Sequence, residues 1–252
     1  MNPGDLAYIM PLRSIDSSFV VIHGRGISSF EDPKLPALTI ARTYLEVIEG
    51  PLWTAIRGNG LAYGAGFVRS IEKGIFGYSI YRSPDAYKAF EASKKVVMDL
   101  ATGKVELDDL WLEDAISTFI TSLAGEGETM LSAAYSSFMN QAIYGIPKDY
   151  SKQFAKKIQQ VGKGEVLSAI REFMVPLFEP QNANVFVTCA PVMESKVLGD
   201  FKQASFTPES KGWSDFRDDY GLHLDLDDDE EEDEDEDSSD ASGEDEADGE
   251  EE

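Results

Sequence analysis

The chain has 252 residues, 47 of them Asp or Glu against 22 Lys or Arg, for a formal charge of −25. Twenty of those acids and no base lie between Asp225 and Glu252, so the preceding 224 residues carry 27 acids against 22 bases and read as an ordinary, mildly acidic globular body. No basic excess is there to neutralise phosphates, and no apolar window approaches the ~20 residues of a membrane span, so neither a nucleic-acid partner nor a membrane is expected.

The first organised segment, Ser18 to His23, is a short β-branched run bounded by Gly24 and Gly26 and reads as a buried strand. Ala37, Ile40, Ala41, Tyr44, Leu45 and Ile48 then recur at helical spacing until Gly50-Pro51 interrupts them. A short second helix, Leu52 to Arg57, follows with Pro51 at its first position, where a missing N–H costs nothing. After the turn Gly58-Asn59-Gly60, the runs Leu61 to Arg69 and Ile75 to Tyr81 form an antiparallel hairpin. Ser83-Pro84-Asp85 starts the next helix, with Ser83 as its cap, and Gly103 stops it.

Four further helices are expected over 107–123, 129–141, 149–161 and 164–175, the third carrying a core stripe of Tyr150, Phe154, Ile158 and Val161. A last strand, Asn184 to Cys189, precedes a short helix from Val192. The sum is an α+β domain over 1–205, with a mixed or antiparallel sheet of about four strands and helices packed on one face. Residues 206–224 read as a linker. The acidic tail 225–252 lacks the apolar residues to offset chain entropy and is expected to be disordered, a solvating segment or a lure for basic partners.

Cys189, the one cysteine, sits in the apolar run Val185 to Ala190, which excludes an internal disulfide and suits a small buried residue in a reducing compartment. The start, Met1 to Leu6, has neither a secretory nor a transit pattern, so the expected location is the cytoplasm, with the mitochondrial matrix as the alternative. His23 and His223 stand 200 positions apart, without a second ligand at helical spacing, so no zinc site is expected within the chain itself. No G-x-S-x-G elbow is present. The glycines from Gly58 to Gly66 lie between a helix and a strand, the reverse of a dinucleotide loop, and fit a tight turn beside a closely approached strand.

That turn separates Arg57, at a helix end, from Tyr63, at a strand start, so both side chains can be aimed into one space. A guanidinium and a phenol that converge are two donors suited to a peptide carbonyl or its oxyanion; a surface arginine beside a half-buried tyrosine is the plainer reading.

The segment from Gly50 to Gly64, with glycine-proline, Trp53, Arg57 and Tyr63 in a helix-turn-strand context, resembles the hallmark of the C-terminal half of pitrilysin-type (inverzincin) zinc metallopeptidases, close to the presequence-protease branch and its cytosolic relatives. The element order from about Ile15 to Phe201 is similar as well. The resemblance implies a clamshell of two related halves. One binds zinc through H-x-x-E-H and activates water; the other holds the substrate backbone and the developing oxyanion. By motif match Arg57 and Tyr63 are those donors, with Gly60, Leu61, Ala62 and Gly64 lining the bound peptide. This chain has no H-x-x-E-H. It is therefore expected to bind no metal, to be inactive alone, and to act on peptides only with a zinc-bearing N-terminal half, in the same polypeptide or as a partner. The alternative is a non-catalytic binding protein whose tail recruits basic partners.

Overall fold

The computed structural model describes Gly4, residues 6–125 and residues 127–220. The expected disordered tail lies outside the described residues. Two compact units are present, one running to Trp213 and one beginning at Ser214; the helix Trp213–Tyr220 falls almost wholly in the second.

The first unit is built on a six-stranded sheet. Its strands are β1 (Leu6–Pro11), β2 (Ser18–Arg25), β3 (Gly64–Ser70), β4 (Ile75–Ser83), β5 (Ala183–Cys189) and β6 (Thr207–Ser210), in the order β3-β4-β2-β5-β1-β6. Along β3-β4-β2-β5 each strand is antiparallel to its neighbour, whereas β1 runs parallel to both β5 and β6. The sheet is mixed, as expected, but has six strands rather than four. β1 and β6 escape a composition reading for different reasons. β1 carries Met10 and Pro11 at its end, and β6 is the polar tetrapeptide Thr207-Pro208-Glu209-Ser210, whose proline suits an edge strand. Hence the expected boundary at 205 falls just before a sheet strand.

Alternation along the strands shows which face is covered. Val20 and Ile22, Phe76, Tyr78 and Ile80, and Val185, Val187 and Cys189 are buried, while their neighbours are partly exposed apart from the buried Gly77. Against the buried face pack α1 (Leu35–Glu46), α2 (Ala86–Ala101), α6 (Lys163–Ala169) and α7 (Glu194–Gln203), all joined to one core. Phe90 is its hub, with ring centroids 5.4 Å from both Phe178 and Phe201. α3 (Asp109–Gly125) and α5 (Tyr150–Ile158) lie outside α1, and α4 (Met130–Phe138) buries none of its side chains. Phe154, Ile158 and Val161 are buried, as the helical stripe requires.

Ser83 does not cap α2. The N-cap is Asp85, whose side chain accepts from the Lys88 N–H, while the Ser83 hydroxyl accepts from the Asp85 N–H and donates to the Leu61 carbonyl. Pro84 therefore precedes the cap, and Ser83 instead ties β4 to the turn that leads into β3. Among the described residues no helix is long and apolar enough to cross a membrane.

Candidate functional site

The turn from α1 into β3 is assembled by backbone bonds that the sequence prepares. Pro51 and Leu52 open a helical turn that widens into a π-helix over Trp53–Arg57, closed by Gly58 N–H donating to Trp53 O at 2.9 Å. The turn ends in a Schellman motif: Gly60 N–H donates to Arg57 O at 3.0 Å and Leu61 N–H to Ile56 O at 2.8 Å. Gly60 takes φ +66°, the left-handed conformation that this motif demands. The Asn59 amide donates to the carbonyls of Thr54 and Ala55, occupying acceptors that the widened helix leaves over. Tyr63 N–H then joins Arg82 O at 3.0 Å, fixing the entry into β3. Arg82 itself holds φ +54°, a left-handed position that is costly for a non-glycine residue.

This geometry brings the two expected donors together. The Arg57 guanidinium carbon lies 4.8 Å from the centre of the Tyr63 ring, and Tyr63 is 61% exposed. Among the described residues neither the guanidinium nor the phenolic hydroxyl has a hydrogen-bond or ion-pair partner, so both present donors to solvent. Beside them is a cleft of about 90 Å³ lined by Glu46, Leu52, Trp53, Ile56, Gly64 and Ala65.

The turn residues singled out in the sequence play different parts. Gly60 shapes the turn, Ala62 is buried, Leu61 packs against the core, and Gly64 has open space where a side chain would stand. A Cβ at Gly66 would sit 2.9 Å from the Glu46 carboxylate, so what comes close to this strand is a side chain of α1 rather than a second backbone. That carboxylate accepts from the Phe67 N–H of β3 and from Arg42 Nε at 3.0 Å. Burial raises the Glu46 pKa above the ordinary carboxylate range, against the pull of Arg42 and the Phe67 N–H.

Three aromatic residues extend the site, the motif's own Trp53 and two that lie outside the motif, Tyr81 and Phe19. Trp53 lines the cleft, Tyr81 packs edge-on to Tyr63 at 6.1 Å, and Phe19 packs edge-on to Tyr81 at 5.3 Å. Tyr81 stands opposite Gly64 across the hairpin, so the register alone contained this signal. Tyr81 on β4 and Phe19 on β2 alternate with the buried residues of their strands, so these two rings lie on the face that the helices leave open.

His23 lies on that same open face, half-buried, 6.1 Å from the Phe186 ring, with its pKa lowered by burial and by Lys73. Cys189 is buried and unpaired, and burial raises its thiol pKa. Among the described residues no three His, Cys, Asp or Glu side chains gather closely enough to hold a metal ion.

Comparison with solved structures decides the architecture. The chain superposes on the inactive domain of an M16 peptidase from Pseudomonas fluorescens with a TM-score of 0.58 at 14% identity, over 73% of this chain and 43% of that one. The fold is that of an M16 peptidase domain. The chain also matches a protease from Helicobacter pylori, at a TM-score of 0.63 and 11% identity, over 75% of this chain and 44% of that one. A ferredoxin protease mutant solved in complex with Arabidopsis ferredoxin matches at a TM-score of 0.52 and 14% identity, over 73% and 20% of the two chains. No protein-family model matches the sequence. Sequence relatives include an uncharacterised protein of Saccharomyces cerevisiae, 30% identical over 86% of this chain and 21% of its own length. Another, from Schizosaccharomyces pombe, is 30% identical over 79% and 19%. The chain spans about a fifth of the length of these relatives.

Proposed function

We propose that this chain is the substrate-holding, zinc-free part of a peptide-degrading M16-type metallopeptidase, on the presequence-protease side of that group. The observation that carries the reading is the meeting of Arg57 with Tyr63, two unpartnered donors delivered by a turn that specifies their positions. An extended peptide crossing the open end of β3 and β4 would meet the Tyr63 hydroxyl and the Arg57 guanidinium at one carbonyl, and Gly64, with no side chain, would let its backbone come close. Trp53, Tyr81 and Phe19 supply apolar contact for flanking side chains without demanding a sequence. Both donors would stabilise negative charge that grows on the carbonyl oxygen.

The metal and the general base belong, in this reading, to a separate zinc-bearing half, in the same polypeptide or as a partner; activation of a water molecule is the chemistry zinc supplies there. The relatives' fivefold greater length leaves room for such a half. Similarity in fold to the inactive M16 domain and to the protease solved with a bound protein also supports a holding role.

Titration of the 252-residue chain into a fluorescein-labelled unstructured peptide tests the reading. The expected result is saturable binding that weakens about tenfold in Arg57→Ala, the scale of a lost hydrogen bond from a charged group. Equal binding by the wild type, Arg57→Ala and Tyr63→Phe would overturn it.

A further inference from the structure

A second cavity, which shares the Glu46 side chain with the Arg57–Tyr63 cleft, lies on the helix side of the sheet. It measures about 590 Å³, within the range of small-ligand sites, and is bounded by α1, β3 and α3. Two arginines enter it. Arg42 is committed to Glu46, with Nε 3.0 Å from the carboxylate. Arg69 is not: its one hydrogen bond runs from Nη1 to the Thr39 hydroxyl at 2.8 Å, and among the described residues no carboxylate stands within ion-pair distance. The Thr39 hydroxyl is itself spent on the Leu35 carbonyl, so it positions the guanidinium without neutralising it.

Arg69 is therefore a partly buried cation whose remaining N–H groups face a cavity. Burial, and then the neighbouring Arg42, lower its pKa by more than Tyr150 and Glu72 raise it, in keeping with a guanidinium that has no ion-pair partner at close range among the described residues. The rest of the lining limits what can fill that role. Glu46 and Asp114 also border the cavity and balance the two arginines, so its walls offer no positive excess to compensate a polyanion, and Arg69, without an ion-pair partner among the described residues, suits a single negative charge. Val47, Ile48 and Phe119 provide an apolar wall.

We propose that this cavity is a binding site for a monocarboxylate with an apolar body, with the C-terminal residue of a peptide as its ligand. Arg69 takes the carboxylate through its free fork of donors, and the apolar side chain rests on Phe119 and Val47. The site uses neither Arg57 nor Tyr63, although Glu46 borders both it and their cleft, and it would exist whether or not those residues hold a substrate.

The test is an NMR titration of the ¹⁵N-labelled full chain with N-acetyl-leucine, with its amide, and with triphosphate. The account expects the acid to bind with a Kd on the order of millimolar and to shift the amides of Thr39, Thr43, Arg69 and Phe119. The amide should bind about tenfold more weakly, and Arg69→Met should remove that difference. Should Arg69→Met fail to fold, Asp114→Asn decides: this exposed substitution removes an opposing charge and should strengthen acid binding about two- to threefold. A peptide with an internal Glu and an amidated end separates a side-chain carboxylate from a C-terminal one, and is expected to bind less well than the free acid. Equal binding of acid and amide, shifts confined to other parts of the sheet, tighter binding of triphosphate, or preference for the internal Glu would overturn the proposal.

Discussion

The Arg57 guanidinium stacks over the Tyr63 ring, 4.8 Å from its centre, although six positions of chain separate them. A regular helix or strand would carry the two side chains apart. The π-turn, the Schellman motif and the left-handed Gly60 fold the intervening residues back, so their proximity belongs to the turn more than to either side chain. The cation–π contact adds about 0.5 to 1 kcal/mol at an exposed position and leaves the polar groups of both residues free.

If the turn sets the site, its glycines should separate shape from access. Gly60→Ala is expected to destabilise the chain by about 1 kcal/mol, the cost of a Cβ in the left-handed region, and to weaken peptide binding along with it. Gly64→Ala meets open space and should change stability by less than about 0.5 kcal/mol, yet still reduce peptide affinity by filling the place where a backbone would lie. Urea melts paired with the fluorescein-peptide titration check both. Loss of stability in Gly64→Ala would argue against an open approach to β3.

Glu46 gives a pH signature. Its folded pKa is raised by burial, so the native chain holds the proton more tightly than the unfolded one. The group's contribution to stability is then largest below the ordinary carboxylate range and falls as pH rises through the raised value. Glu46→Gln keeps an oxygen to accept from the Phe67 N–H and removes the titration. Denaturant melts at pH 4 to 8 should show a decline with rising pH in the wild type that is reduced in the variant, in about this pH range. Parallel pH profiles for the two proteins would refute the assignment.

Asp85→Ala should cost about 1 kcal/mol through loss of the α2 cap. Its carboxylate also pairs with Lys196 of α7, an exposed contact that adds little. Ser83→Ala should be destabilising for another reason, since it leaves the buried end of β4 without its bond to Leu61 O. Thermal melts of the two single variants and the double variant separate the roles, and near-additivity is expected only if cap and tie act independently.

The central elements were legible because periodicity is strong where burial is one-sided. Val20 and Ile22 alternate with half-exposed residues, Phe154 and Ile158 repeat at helical spacing, and both patterns survive in the fold. β1 and β6 were not legible: the pairing of Leu6–Pro11 with Thr207–Ser210 joins residues about 200 positions apart, and three polar residues and a proline at an edge carry no burial pattern. At the site, the motif placed Arg57 and Tyr63, while Tyr81 and Phe19 became visible only through strand register. Arg69 looked like any strand-end arginine, since nothing in the sequence reveals that its close contact is a hydroxyl and that, among the described residues, no acid comes within ion-pair distance.

The most direct test of the central claim is steady-state turnover of a peptide by this chain together with the zinc-bearing half that the proposal requires, with Tyr63→Phe as the variant. Removing the phenolic oxygen alone keeps the ring contacts with Arg57 and Tyr81. The account predicts a fall in kcat on the order of a hundred- to a thousandfold, the usual cost of one oxyanion donor, with fold and zinc content unchanged. Full turnover in a folded, zinc-loaded Tyr63→Phe protein would contradict it.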